Sequence, residues 1–261
     1  METDDELGSV VDVASAGYLI GRLRHGLPAR AADRAWRMRG PWLRRDVRRR
    51  FAAAPLPARE NELSVILTSA GRGHLLERTL TSLRECLQFD GRVRWVIIDD
   101  LPHDATRQYI RSQPFDLTIF NEHNVGLGRS LTRIYSTLET QWFFHCEDDW
   151  DFLRPFEIEP MQAVMASEPD LGQLVLHREQ PIASNQVIPR TGYSEYPPFF
   201  SFNPHLGRFD TMIRGFPFDR RSAEVNLTRR MRRRGIRTGI YGWGEDPYIT
   251  HTGDERAGIQ Y

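Results

Sequence analysis

The feature that most constrains the fold is a regular alternation of apolar runs and helical patterns between residues 63 and 146. Four apolar runs have the length and composition of buried strands: Leu63–Thr68, Val93–Ile98, Phe115–Phe120 and Trp142–Cys146. Three segments between them have helical spacing or caps: Leu75–Leu83 with Leu76 and Leu80, Ala105–Arg111 with Asp104 as predicted N-cap, and Gly126–Leu138. This order predicts an α/β domain with a mostly parallel sheet and helices on both faces.

Polar or acidic residues follow each predicted strand, so the strand ends should line one crevice. Asp99-Asp100 follows the second strand, Asn121 to Asn124 follow the third, and Glu147-Asp148-Asp149 follows the fourth. Three adjacent carboxylates repel each other unless a cation shares them, and oxygen ligands suit Mg²⁺ or Mn²⁺. The residues alone leave a second interpretation open, in which this acidic triplet (Glu147, Asp148 and Asp149) is a solvated turn.

The second half of the chain is less regular. Helices are predicted over Pro155–Ser167 and over Asp219–Arg234, the latter ending at Gly235. Strands are predicted over Gly172–His177 and Ile236–Tyr241. Pro181 to Pro204 is rich in Pro, Asn and aromatic residues, which favours a long loop or an irregular hairpin.

Composition predicts an intracellular, cytoplasmic protein. The formal net charge is zero, and no run is long enough to span a bilayer. Cys86 and Cys146 lie in apolar surroundings with no pairing or metal spacing, which predicts reduced core residues. The first residues are acidic where a signal peptide would be basic.

Positive charge is concentrated near the N-terminus. Residues 22–50, the Arg-rich segment, hold eleven arginines against two aspartates, and a Pro-rich linker follows. We expect residues 1–60 to form a helical extension and 61–261 the main domain, with a nucleotide-binding half (61–150) and an acceptor-binding half (151–261). The Arg-rich segment could contact the inner face of an anionic membrane, bind nucleic acid, or pack on an acidic face of the same protein. Zero overall charge argues against a dedicated polyanion binder, so no nucleic-acid partner is expected.

Four motifs in order resemble those of GT-A glycosyltransferases, particularly the inverting family 2 enzymes that use nucleoside-diphosphate sugars. They are Val65–Thr68 with Arg72, Val96–Asp100 with Asp104 and Thr106, Asn124–Ser130, and the acidic triplet. The resemblance makes Asp99 the nucleoside contact, with Asp100 beside it. Thr68, Arg72, Asn124, Gly126 and Arg129 become donor-binding residues, with Arg129 reaching the diphosphate or sugar. In the triplet, it makes Asp149 the direct metal ligand and Glu147 a partner of the metal through water, or of the ribose, with Asp148 beside them.

The resemblance extends to the distal part. Residues 223–235 resemble the family's catalytic-base segment, and aligning Leu227, Arg230 and Gly235 puts Glu224 on the base. Glu245 and Asp246 are the rival base, because a similar sequence serves other GT-A enzymes. His251 resembles the late His that completes the metal site in many relatives.

The resemblance therefore implies a metal-dependent inverting glycosyltransferase that uses Mn²⁺ or Mg²⁺. Its donor would be a UDP-, GDP- or dTDP-sugar, and its acceptor the hydroxyl of a glycan, a lipid-linked molecule or a small molecule. Three alternatives remain: a catalytically silent nucleotide-binding module, a nucleotidyltransferase and an Arg-rich nucleic-acid binder.

Overall fold

A computed structural model describes residues 61–180, 187–196, 199–215 and 223–253. The predictions for the Arg-rich extension and for the beginning of the 219–234 helix lie outside these residues. The described strands, in chain order, are β1 (Glu62–Ser69), β2 (Leu87–Gln88), β3 (Arg92–Asp99), β4 (Leu117–Phe120), β5 (Trp142–Glu147), β6 (Trp150–Phe152), β7 (Phe156–Glu157), β8 (Leu171–Leu176), β9 (Ile188–Arg190), β10 (Tyr193–Glu195), β11 (His205–Arg208), β12 (Arg237–Tyr241) and β13 (Ile249–His251). The described helices are α1 (Gly73–Cys86), α2 (Asp104–Ser112), α3 (Leu127–Tyr135), α4 (Ile158–Ser167), α5 (Phe209–Met212) and α6 (Ala223–Arg232), with a 3-10 turn at Ile213–Gly215.

Nine strands form one central sheet in the order β4-β3-β1-β5-β11-β8-β12-β10-β9. The first four are parallel to one another, as the alternation of strands and helices predicts. β11 then runs antiparallel to both β5 and β8, while β12 is parallel to β8. The α/β prediction is confirmed, and the sheet is mixed because its C-terminal half adds antiparallel pairs.

Both faces of the sheet are covered, because neighbouring residues of each buried strand point to opposite sides. Val65 and Leu67 of β1 join one core cluster with Leu76, Leu80 and Leu83 of α1. Ile66 joins the other, with Leu131 and Ile134 of α3 and Leu227 and Met231 of α6. Cys86 and Cys146 are buried and unpaired, as predicted.

Several predicted boundaries were wrong for local reasons. Asp104 is not the cap of α2: His103 precedes the helix and its side chain accepts a hydrogen bond from the Thr106 N–H, so Asp104 is the first helical residue. α3 ends at Tyr135 rather than Leu138. The helix predicted from Pro155 begins at Ile158, because Phe156 and Glu157 pair with β2.

The region predicted as a loop or irregular hairpin contains the hairpin of β9 and β10 at the edge of the sheet. It also leads into β11, a strand that the sequence pattern did not predict. In the part of the chain that the structure describes, no helix is long and apolar enough to cross a membrane.

Candidate active site

The C-terminal ends of β1, β3 and β5 bring the predicted site residues together. Ser69 of β1 pairs with Asp99 of β3, and Thr68 pairs with Glu147 of β5. Asp99 and Glu147 therefore lie on either side of the end of β1, about 10 Å apart by two strand spacings. The acidic triplet and the predicted nucleoside contact therefore lie at the same edge of the sheet.

The turn after β1 holds one carboxylate from each side of this crevice. The Ala70 N–H donates to Oδ2 of Asp148 at 3.1 Å, and the Gly71 N–H donates to Oδ1 of Asp99 at 3.0 Å. Gly71 has a φ of +77°, a backbone conformation that glycine adopts without strain. Two successive backbone donors thus connect the acidic triplet with Asp99.

Arg72 neutralises part of the negative charge of the triplet. Its guanidinium donates to Oδ1 of Asp148 and lies 2.9 Å from Oδ2 of Asp149. Burial raises the pKa of the Asp148 carboxyl and the charge of Arg72 opposes that rise. Both Asp148 oxygens are engaged by Ala70 and Arg72, so in this structure Asp148 anchors the turn after β1 rather than facing an open site.

One carboxylate oxygen of Asp99 makes no hydrogen bond within the described residues. The residue is 1% exposed, and this oxygen, Oδ2, lies 3.6 Å from Nε of Arg107. Burial raises the pKa of the Asp99 carboxyl, while the Gly71 N–H and Arg107 lower it. A buried carboxylate with a spare oxygen is suited to accept an N–H from a ligand.

Asp100 has a different role from Asp99. Its Oδ1 accepts from the Val125 N–H at 2.8 Å and from the Asn121 amide at 2.9 Å, and its Oδ2 accepts from the Gly126 N–H at 2.7 Å. Asp100 therefore shapes the loop that contains Asn124 and Gly126. Gly126, with a φ of +87°, precedes α3 as its N-cap.

Two further predicted donor-binding residues border this region. Thr68 is buried, with its hydroxyl 3.5 Å from Nε2 of His145. Arg129 lies in the first turn of α3 and is 7% exposed, so most of its side chain is packed against the protein.

Asp149 contacts β13, the last strand of the described chain, and the residue that follows it. β13 pairs with β6, which follows the acidic triplet, and this pairing brings Nε2 of His251 to 3.4 Å from Oδ2 of Asp149. The Thr252 N–H also donates to the backbone oxygen of Asp149 at 2.9 Å. Oδ1 of Asp149 is buried and has no hydrogen-bond partner among the described residues.

The donor set fits a divalent cation, because it combines an orphaned carboxylate oxygen with an imidazole nitrogen. The protein does not supply a complete cage: within the described ranges, no three His, Cys, Asp or Glu side chains are arranged to hold a metal ion. A Mg²⁺ site that uses one or two carboxylates plus substrate phosphates needs no such cage.

Glu147 is the first residue of the acidic triplet and the last residue of β5. Burial raises its pKa well above the usual value, and the negative charges of Asp149, Glu224 and Asp148 raise it further. Glu224 is therefore one of the carboxylates whose negative charge acts on Glu147.

Glu224 is fixed by the end of the Pro181–Pro204 segment, which the sequence predicts as a long loop or an irregular hairpin. Its Oε1 accepts from the Ser201 hydroxyl at 3.1 Å and from the Phe202 N–H at 2.9 Å. The buried Gln173 of β8 binds both the N–H and the carbonyl of Ser201. The other oxygen of Glu224 makes no hydrogen bond to a described residue, so one oxygen is anchored and one remains available.

The rival base occupies a different environment. Asp246 is exposed, and its carboxylate contacts none of the crevice residues that the structure describes. Glu245 is also exposed; its Oε2 lies 2.7 Å from Arg154 and accepts from the Tyr248 hydroxyl at 3.3 Å.

Solved structures with the same arrangement of elements include three glycosyltransferases. GalNAc-T7, solved with UDP, GalNAc and Mn²⁺, has a TM-score of 0.57 at 12% identity, over 73% of this chain and 43% of that one. A mannosyltransferase from Pyrobaculum calidifontis, solved with GDP-Man and Mn²⁺, has a TM-score of 0.57 at 16% identity, over 75% of this chain and 58% of that one. TarS of S. aureus has a TM-score of 0.53 at 16% identity, over 73% of this chain and 36% of that one.

This chain has a GT-A fold. It spans less than two thirds of each of these three structures, and the identities are low enough that the likeness concerns the fold alone. No protein-family model matches the sequence, and no curated protein is significantly similar to it.

The GT-A fold explains why several site residues escaped the sequence analysis. Gln173 and Ser201 act through contacts with residues far away in the chain, and no local motif marks them. Arg107 directly follows Thr106, a residue of the quoted motif, so its place one helical turn after His103 was a usable signal.

Proposed function

We propose that this chain transfers a sugar from a nucleoside-diphosphate donor to an acceptor hydroxyl, with inversion at the anomeric carbon and with the help of a divalent cation. The observation that carries the proposal is the convergence of Asp99 and the acidic triplet on the turn after β1, where the Gly71 N–H binds the Asp99 carboxylate and the Ala70 N–H binds that of Asp148. The GT-A fold makes a nucleotide sugar the first ligand to test.

Asp99 is the proposed nucleoside contact. Its Oδ2, which makes no hydrogen bond within the described residues, can accept an N–H of the base, while the Gly71 N–H and the charge of Arg107 hold the carboxylate in place. The loop of Asn124 and Gly126, which Asp100 shapes, forms the neighbouring wall of the proposed donor site. Arg72 and Arg129 are the proposed cationic groups for the diphosphate.

Asp149 and His251 would hold the cation, with Glu147 contributing through water. The cation, when bound, neutralises negative charge that develops on the leaving diphosphate. Mn²⁺ and Mg²⁺ are both compatible with this donor set.

Glu224 is the proposed general base. The anchored Oε1 fixes the carboxylate, and the other oxygen takes the proton of the acceptor hydroxyl. The acceptor oxygen forms a bond to the anomeric carbon as the bond from that carbon to the diphosphate oxygen breaks. The electron pair of the broken bond leaves with the nucleoside diphosphate, so one proton and one glycosyl group are transferred.

Thermal unfolding with UDP-, GDP- and dTDP-sugars, each with and without Mn²⁺, identifies the donor. NMR of the anomeric proton then follows slow hydrolysis of that donor, with water as the acceptor. We expect an α-linked donor to release the β-sugar first. Release of the α-sugar would contradict inversion, and donor binding with no turnover would favour the catalytically silent module.

A further inference from the structure

The described residues form an open groove on the outer side of α6. It has a volume of about 510 Å³ and is lined by Phe199, Val225, Thr228, Arg229, Arg232 and Arg233. Val225, Arg229 and Arg232 follow one another at i, i+4 and i+7, so they lie on one stripe of the helix. We call this surface the α6 groove.

Three positive charges in the α6 groove are uncompensated. Arg229, Arg232 and Arg233 are exposed, and none of them lies within 4.0 Å of a carboxylate in the described part of the chain. Many other arginines of the described chain, such as Arg72, Arg154 and Arg237, are paired with acidic residues. Three unpaired guanidinium groups together favour an anionic ligand, and their fork of donors matches phosphate oxygens.

The same groove exposes apolar surface. Phe199 is 38% and Val225 is 47% exposed, and they are two of the four large hydrophobic residues that the described chain exposes. A purely anionic ligand such as free phosphate would leave both in water. The combination of charge and apolar surface fits a phosphate that is attached to an apolar chain.

Two elements that line the groove, α6 and the 199–202 segment, also position the proposed base Glu224. The Thr228 hydroxyl accepts from the Phe200 N–H at 2.9 Å, and two residues later the Phe202 N–H binds Glu224. Glu224 also directly precedes Val225 on α6. A molecule held in the groove therefore contacts the two elements that fix Glu224, the helix and the 199–202 segment.

We infer that the α6 groove is the acceptor subsite and that the acceptor is an amphiphile that carries, besides its reacting hydroxyl, a phosphate bound by Arg229, Arg232 and Arg233 and an apolar chain on Phe199 and Val225. The acceptor role rests on the proposed function, since it takes Glu224 as the base. The chemistry of the groove itself, a phosphate with an attached apolar chain, does not depend on that proposal.

Calorimetry with dodecyl phosphate, kept below its micelle concentration, tests the inference on the full chain. We expect binding that weakens at least about tenfold when Arg229, Arg232 and Arg233 are all changed to Gln, since each loses a charge-assisted hydrogen bond. Val225→Ser should weaken binding of the same probe, whereas Arg234→Gln, at the same helix end but outside the groove, should change it less than about twofold. The midpoint of thermal unfolding checks that each variant is folded.

Three comparison ligands make the result decisive. Inorganic phosphate should bind much more weakly because it lacks the chain, and dodecyl maltoside because it lacks the charge. Equal binding of dodecyl maltoside, or an unchanged affinity in the triple variant, would overturn the inference. Binding to phosphatidylglycerol vesicles without binding of monomeric dodecyl phosphate would also overturn it and would indicate a membrane-contact surface instead.

A donor titration on the same samples separates this inference from the proposed function. If a nucleotide sugar binds and dodecyl phosphate does not, the inference fails and the proposed function stands. If dodecyl phosphate binds and no nucleotide sugar does, the acceptor role fails together with the proposed function.

Discussion

Nε2 of His251 lies 3.4 Å from Oδ2 of Asp149, although Asp149 lies just after β5 in the middle of the domain and His251 ends β13, the last described strand. The contact depends on the antiparallel pair of β6 and β13, in which His251 is opposite Trp150. The His251 ring also packs edge-on against Trp150, with ring centroids 4.9 Å apart. The residue after the acidic triplet thus fixes the imidazole beside the proposed metal ligand.

This geometry predicts that Asp149 and His251 act together on the metal. We expect Asp149→Asn and His251→Ala each to weaken Mn²⁺-dependent donor binding by about tenfold or more, because each variant lacks one of the two side chains proposed to bind the metal. Calorimetry with and without Mn²⁺ measures the effect. Asp151→Asn is the matched control, since this nearby carboxylate pairs with Arg78 instead. Undiminished metal-dependent binding in Asp149→Asn would refute the metal assignment.

Glu224 and Asp246 can be distinguished by kinetics. Glu224→Gln keeps the size of the side chain but removes the base, so turnover should fall by about 10²- to 10⁴-fold while donor affinity is retained. Asp246→Asn, a change at an exposed residue, should leave both quantities near the wild-type values. A large loss of turnover in Asp246→Asn, with little loss in Glu224→Gln, would reverse the assignment.

Gly253 controls the position of Asp149 through close packing. A Cβ atom at residue 253 would lie 2.6 Å from Oδ2 and 2.7 Å from Cβ of Asp149, so the Asp149 side chain must move. We therefore expect Gly253→Ala to weaken Mn²⁺-dependent donor binding by about tenfold. Thr252→Ala is the control, because it changes the residue next to Gly253 without adding any atom that could displace Asp149. Equal affinities in the two variants would show that the position of Asp149 is not critical.

The two buried histidines predict a pH dependence of stability. Burial lowers the pKa of His205 to about 4, and burial with the nearby His205 lowers that of His145 well below its usual value. Between about pH 6.5 and 4 the unfolded chain binds a proton at residue 205 that the folded chain does not, so the free energy of unfolding falls as the pH falls. For His205 this loss amounts to about 3 kcal/mol.

Urea denaturation at several pH values measures this effect as a difference between variants. In His205→Gln the free energy of unfolding should fall less steeply below pH 6.5 than in the wild type, because the titrating group is gone. Parallel profiles for wild type and His205→Gln would contradict the prediction.

The first half of the fold was predictable because its signals are local. β1, β3 and β5 are buried on both faces, so their sequences are continuous apolar runs that end in the polar residues of the crevice. The same pattern allowed Asp99 and the acidic triplet to be expected at one edge of the sheet, and the pairing of β1 with β3 and β5 places the ends of their strands there. That these residues form a binding site stays a prediction.

The second half depends on long-range contacts that leave a weak trace in the sequence. β11 is only four residues long, includes His205, Gly207 and Arg208, and is defined by its insertion between β5 and β8. The anchoring of Glu224 by Ser201, itself held by Gln173, joins α6, a loop and β8. Such contacts form only when the sheet is complete, so no local periodicity predicts them.

The location of manganese in crystals of the full chain grown with a nucleoside diphosphate and Mn²⁺ tests the central claim most directly. We predict an anomalous manganese peak within coordination distance of Asp149 and His251, with the nucleobase at Asp99. A manganese ion bound elsewhere, or a nucleotide outside the crevice between β3 and β5, would contradict the account.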